Sequence, residues 1–236
     1  MEKIRELKLN KKEIKFLWRD EADLSVIDEI FVDKMYRSLE GPIPSLANPI
    51  LDIGAHLGCF SVYARLFNPQ VKIIALEPEP NNFKLLKENL KLNGCEEVTA
   101  MQYAVIPSEP KGRVEESPLF ATLYLNADSH NHSTFYKTKN SIEVPATTLE
   151  EIIKKNKLTK IGLLKMDIEG GEFDILKNTT QDTWNKIQNM AIECHEFEGN
   201  KRADLENIIR SQGFSVEHFP NHFDKRFGLL VCRNKK

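Results

Sequence analysis

The chain has 236 residues, with 33 Lys or Arg against 35 Asp or Glu and a formal charge of −2. That balance speaks against a polyanionic or polycationic partner, and a nucleic-acid binder is expected to show a basic face that this composition lacks. Hydrophobic residues make up 41% and charged residues 29%, ordinary globular usage that excludes a wholly disordered or collagen-like chain.

No apolar run approaches the ~18–20 residues of a membrane span. The stretch from Met1 to Leu17 mixes charge into every turn and lacks the apolar core of a signal peptide, so a cytoplasmic protein is expected. Cys59, Cys95, Cys194 and Cys232 show neither CxxC spacing nor the density of a disulfide scaffold, and are expected to be packed thiols.

Residues 1–46 are polar and helix-prone and read as an N-terminal helical or cap segment. It ends at Gly41-Pro42-Ile43-Pro44, where two prolines stop a helix and leave an extended lead-in. Residues 47–236 read as an α/β domain. Ile50 to Ile53 is a short buried strand, Gly54 to Gly58 a tight turn, and Phe60, Val62, Tyr63, Leu66 and Phe67 recur at helical spacing. Val71 to Leu76 is a second strand, the next helix carries Phe83, Leu86 and Leu90, and Val98 to Val105 is a third strand. This alternation predicts a parallel sheet with right-handed crossovers.

Residues 110–146 break the rhythm and read as an inserted β-hairpin or flap, with His130 and His132 in its polar tip. Thr148 and Glu151 form a capping box for the following helix. Ile161 to Ile168 and Met190 to Phe197 are the fourth and fifth strands, Ala203 to Gln212 is a helix, and two more strands end the chain.

The chemistry concentrates at strand ends. The first turn reads Asp52-Ile53-Gly54-Ala55-His56-Leu57-Gly58. It lacks the third glycine of a G-x-G-x-x-G nicotinamide loop, and Asp52 would repel a phosphate but suit the ammonium of an amino acid. Glu77 ends the second strand, 25 positions after Asp52, where an acid accepts hydrogen bonds from ribose hydroxyls. A ligand with a ribose and an amino-acid tail but no phosphate is S-adenosylmethionine. Pro78, Tyr103 and Ala104 complete the candidate cofactor-binding set of Asp52, Gly54, Ala55, His56, Gly58 and Glu77.

Lys165, Asp167 and Glu169 stand at i, i+2 and i+4 on the fourth strand, so alternation puts them on one face. Glu193 and His195 repeat this spacing on the fifth. In a doubly wound sheet the fourth strand lies beside the first, which brings Asp167 to the Gly54 loop at the switch point where ligands bind. The plainer alternative is an ion-pair network at strand termini. A divalent ion on Asp167, Glu169, Glu193 and His195 is a further reading, not favoured because the spacing is loose.

The run D-x-G-A-x-x-G from Asp52 to Gly58, followed by Ala75-Leu76-Glu77-Pro78 and the helix to Asn93, resembles the start of the FkbM family of S-adenosylmethionine-dependent methyltransferases. Leu164 to Glu172 and Ile192 to His195 are similar to that family's later signatures, and the likeness runs from about Ile30 to about Phe214. It implies a Rossmann-like methyltransferase fold with a seven-stranded, mostly parallel sheet and an antiparallel last strand. It also implies O-methylation of a hydroxyl on a small molecule or a sugar or glycan.

Where the family usually has Asn in the loop this chain has His56, a residue also tolerated at positive φ. If the acceptor is an alcohol, its proton must leave. Asp167 or His195 is then the candidate base, Lys165 orients the carboxylates, and Glu169 binds substrate hydroxyls. Tyr36 with the N-terminal segment would cover the cofactor, and the flap would cover substrate or pair with another chain through its edge. A same-fold RNA or protein methyltransferase, or a catalytically silent cofactor- or partner-binding module, are the competing readings.

Overall fold

The chain opens with a hairpin where a helix was expected: β1 (Lys3–Leu9) pairs antiparallel with β2 (Lys12–Trp18). A computed structural model describes residues 3–108, 119–125, 132–134, 137–196, 200–221 and 227–235. Asn10 and Lys11, between the two strands, have φ of 50° and 64°, the positive pair that gives a two-residue turn the twist of its flanking strands. The abundant Lys and Glu favour a helix, but Ile14 and Phe16 are buried two apart with Lys15 half-buried between them, the period of a strand.

The outer edge of β2 is closed by the helix α3 (Pro80–Leu92) and its cap Asn93. Asn89 accepts from Leu17 N at 2.7 Å and donates to Leu17 O at 3.2 Å. Asn93 does the same for Lys15 at 3.0 and 2.7 Å. Two side-chain amides thus stand in for a neighbouring strand.

Helix α1 (Glu21–Phe31) starts at Asp20, whose carboxylate accepts from Ala22 N and Asp23 N, a side-chain cap for otherwise unpaired donors. It buries Ile27, Ile30 and Phe31. Two 3-10 turns follow, Arg37–Leu39 and Ile43–Ser45, so the prolines lead into a turn and extended backbone begins only at Leu46.

The central sheet has seven strands: β3 (Ile50–Ile53), β4 (Ile73–Leu76), β5 (Thr99–Met101), β9 (Leu163–Met166), β10 (Asn189–His195), β11 (Phe214–Pro220) and β12 (Phe227–Asn234). Their spatial order is β11-β12-β10-β9-β3-β4-β5, and β12 runs antiparallel to both of its neighbours. This is the mostly parallel, Rossmann-like sheet with an antiparallel last strand. All four residues of β3 are buried: Ile50 joins a core with Phe60 and Leu86, while Leu51 and Ile53 join Leu149, Phe173 and Ile209 on the other face. A strand covered on both sides loses the alternation of a half-exposed one. Helices α2 (Cys59–Phe67) and α3 contribute to the first core, and α4 (Leu149–Lys155), α5 (Glu172–Asn178), α6 (Gln181–Trp184) and α7 (Arg202–Ser211) to the second.

The expected third strand, Val98 to Val105, is broken. After β5 the chain leaves the main sheet at Gln102-Tyr103, and β6 (Ala104–Val105) pairs with β8 (Asn140–Thr147), which pairs in turn with β7 (Leu119–Leu125). The β7–β8 hairpin is the anticipated flap; residues 126–131, with His130, lie outside the described residues. Thr148 caps α4 by accepting from Glu151 N, and the Glu151 carboxylate accepts from the Thr147 hydroxyl. All four cysteines are buried free thiols, and no described helix is long and apolar enough to cross a membrane.

Candidate functional site

The carboxyl ends of β3, β4 and β9, the break after β5 and one side of α1 surround a cavity of about 880 Å3, its open mouth included. Gly54 has φ +75°, and a Cβ there would lie 1.8 Å from the Asp167 main-chain oxygen. Only glycine permits two adjacent strand ends to approach so closely at that φ. Gly58 has φ +86° against Leu86, and His56 between them has φ 49°, a left-handed position that histidine adopts more readily than most residues. Gly54 and His56 line the cavity; Ala55 and Gly58 shape the loop from behind.

Asp52 does not reach the cavity. It is fully buried beneath the loop, accepting from Ser61 Oγ at 2.6 Å, with Lys165 Nζ 3.3 Å from its other oxygen. The anion expected to meet a ligand ammonium is committed to holding the loop. Glu77 is also buried but lines the cavity with Pro78, Tyr103 and Ala104. Its carboxylate accepts from His56 N at 2.9 Å and Glu79 N at 3.0 Å. Burial pushes the Glu77 carboxyl up to about 7, against the pull of those donors.

Lys165 lies under the same loop, donating to Gly54 O at 2.7 Å and standing 3.7 Å from Asp167. Burial works to lower its pKa, but Asp52, Asp167 and Glu193 outweigh that and raise it, so it is held as a cation. Asp167 follows the end of β9, and strand alternation fails just beyond it. Ile168 N and Gly170 N donate to the Glu172 carboxylate at 2.8 and 2.9 Å, and Glu169 takes φ +55°. Glu169 therefore reaches the cavity from a tight turn and not from the shared strand face that i, i+4 spacing predicted.

His195 at the end of β10 is buried, outside the cavity lining. Its Nε2 is 3.5 Å from Glu169 and 3.9 Å from Glu193, and its Nδ1 is 3.6 Å from Glu172. Burial would lower its pKa, yet these carboxylates, Glu172 foremost, hold it well above the ordinary histidine value. The surrounding carboxylates favour its protonated form, and His195 faces Glu169, Glu172 and Glu193 from outside the cavity lining. Burial pushes the Glu169 carboxyl up to about 7, and burial with the Asp167 charge drives Glu193 well above the usual range. Asp167, Glu193 and His195 each bring one ligand atom within 4.8 Å of the others, a spacing in which a divalent ion fits.

Several cavity residues carry no sequence signal. Val26, Glu29 and Ile30 come from α1, Met35 from the turn after it, and Asn82 from α3. The buried stripe Ile27, Ile30 and Phe31 marks α1 as docked, but nothing in it distinguishes Glu29, whose carboxyl is raised by burial and by Asp167. Tyr36, packed edge-on against Phe60 at 4.7 Å, lines the cavity.

The family model described as Methyltransferase FkbM domain matches residues 52–216. The chain is 26% identical over 231 residues to the 31-O-demethyl-FK506 methyltransferase FkbM of Streptomyces tacrolimicus, covering 88% of this chain and 84% of that one. It is 24% identical over 167 residues to the hexuronic acid methyltransferase AglP of Haloferax volcanii, covering 70% and 63%. Its fold matches the magnesium protoporphyrin IX methyltransferase of Synechocystis solved with bound S-adenosylmethionine, with a TM-score of 0.54 at 11% identity and coverage of 92% and 86%. The chain belongs to the FkbM methyltransferase family and is an S-adenosylmethionine-dependent methyltransferase.

Proposed function

We propose that the acceptor is a hydroxyl of a small molecule or sugar, and that Glu169 takes its proton. The observation that carries this is the meeting of the Gly54 loop, Glu77, Asp167 and Glu169 on one cavity wall. Gly54, His56, Glu77, Pro78, Tyr103 and Ala104 are the residues assigned to hold the cofactor, with Glu77 suited to ribose hydroxyls. S-adenosylmethionine supplies a methyl carbon whose bond to sulfur breaks, with the pair kept by sulfur, as the acceptor oxygen bonds to it.

The chain's own work is positioning and proton removal. Effective concentration is a large gain available to an in-line displacement, and residues of α1, Tyr36 and the flap residue Leu123 line the cavity. A carboxyl near pH 7 is matched to accepting a hydroxyl proton, which favours Glu169. Lys165 fixes Asp167 beside the loop, and His195 orients Glu169 and Glu193. Residues 1–46 act as the cap of the catalytic domain at 47–236. The outer edge of β7, where Phe120 is exposed, is the surface offered for self-association.

The test is calorimetric titration with S-adenosylhomocysteine, followed by mass spectrometry of hydroxylated acceptors incubated with S-adenosylmethionine. Micromolar binding that weakens in Glu77→Ala, with a methylated alcohol formed, is the expected result. Binding without any methylated product would favour a silent module, and methylated RNA would replace the small-molecule reading.

A further inference from the structure

A second cavity, about 1750 Å3 on the same measure, opens beside the first, and Glu29, Met35 and Glu193 belong to both walls. The two cavities therefore adjoin at these three side chains. Gly228 and Leu229 of β12, residues of α1 and the end of β11 line it. Two features set its chemistry. Phe219 and Phe227, both half-buried, give it aromatic surface. Glu21, Asp28 and Asp33 give it carboxylates, Glu29 and Glu193 add carboxyls whose ionisation burial opposes, and among the described residues, which leave out Lys225 and Arg226, no Lys or Arg lines it. Arg5, outside the lining, pairs with Asp28 at 2.9 Å and offsets one of these charges.

We propose that this second cavity seats the acceptor, and that the acceptor is a hydroxylated ring carrying a protonated amine, an aminated sugar being the simplest member of the class. The proposal rests on the reading that the first cavity holds the methyl donor. Aromatic surface matches the apolar face of such a ring, and carboxylates accept from both hydroxyls and an ammonium. The same wall repels a carboxylate or phosphate, because like charges brought together in a partly buried site destabilise a complex. A uronate, the acceptor class named for the Haloferax relative, is therefore disfavoured here.

Saturation-transfer NMR on the full chain loaded with S-adenosylhomocysteine tests this with three probes at pH 7: methyl glucosaminide, methyl N-acetylglucosaminide and methyl glucuronide. The expected result is an affinity for the amine roughly tenfold above the N-acetyl form, with the glucuronide weakest. The double variant Glu21→Gln/Asp33→Asn, at two exposed positions, should shrink that preference several-fold and leave cofactor-product affinity unchanged. Equal binding of the neutral or anionic probe overturns the proposal, as does binding of none of the three while S-adenosylhomocysteine still binds. Failure of S-adenosylhomocysteine itself to bind would instead overturn the reading of the first cavity, and the acceptor assignment with it.

Discussion

Lys165 Nζ donates to the main-chain oxygen of Gly54 at 2.7 Å while standing 3.3 Å from Asp52. One buried ammonium thereby ties the end of β9 to the loop after β3 and neutralises the anion beneath it. Lys165→Met should leave Asp52 charged, buried and uncompensated, at a cost of ~3–5 kcal/mol. Urea unfolding of the single variant and of Lys165→Met/Asp52→Asn would check this. The double variant should recover part of the loss, and equal stability of the two would show that the pair is not coupled.

Stability of the cofactor-free protein should fall as pH rises from 5 to 8. The carboxyls of Glu77 and Glu169 lie near 7 in the fold, above their ordinary 4.5. The folded state therefore binds their protons more tightly than the unfolded chain does, and ionisation between those values weighs against folding. For Glu77 this is roughly 3 kcal/mol. His195, raised above 6.5, acts with the same sign: its stabilisation is complete below that value and is lost above its folded pKa. Glu77→Gln should flatten much of the slope, and a urea midpoint that climbs over this window would contradict the assignment.

Turnover should depend on the ionised form of Glu169. The rate at low substrate is expected to rise through about pH 7 and then level. Glu169→Gln should lower it by about 10²–10⁴ and abolish that limb, with S-adenosylhomocysteine affinity retained. An unchanged pH profile in the variant would move the proton-accepting role to Asp167.

Chelation should not matter. Lys165 and His195 already face the carboxylates that a divalent ion would otherwise bind. Treatment with EDTA is expected to leave activity intact. Loss restored by Mg²⁺ would instead make Asp167, Glu193 and His195 a metal site.

What the sequence disclosed was local chemistry. The need for glycine at 54 and the placing of Glu77 follow from a strand–turn–helix unit read within about 25 residues, and both stand where expected. What it hid depends on partners distant in the chain. Asp52 reads as a ligand anion in the sequence because its spacing does not reveal Lys165 and Ser61 as its partners. Glu169 was assigned to a strand face because the Glu172 carboxylate, which gathers Ile168 N and Gly170 N into a turn, is invisible to a period-two count. The hairpin was concealed by helix-favouring Lys and Glu, although Asn10 at a positive-φ turn between alternating segments was its available signal.

The asparagine pair on α3 has a consequence for the order in which the protein assembles. Strand β2 bonds side chains 72 and 78 positions downstream. A nascent chain can close the β1–β2 turn early, but the outer edge of β2 stays open until the segment through Asn93 has left the ribosome. The hairpin thus precedes its partner helix along the chain yet becomes anchored only once the first strand–helix–strand unit exists to receive it. Substituting Asn89 should then lengthen the interval in which that bare edge is available to another chain, a defect visible as lower soluble yield during synthesis and not as slower methyl transfer by the molecules that finish folding.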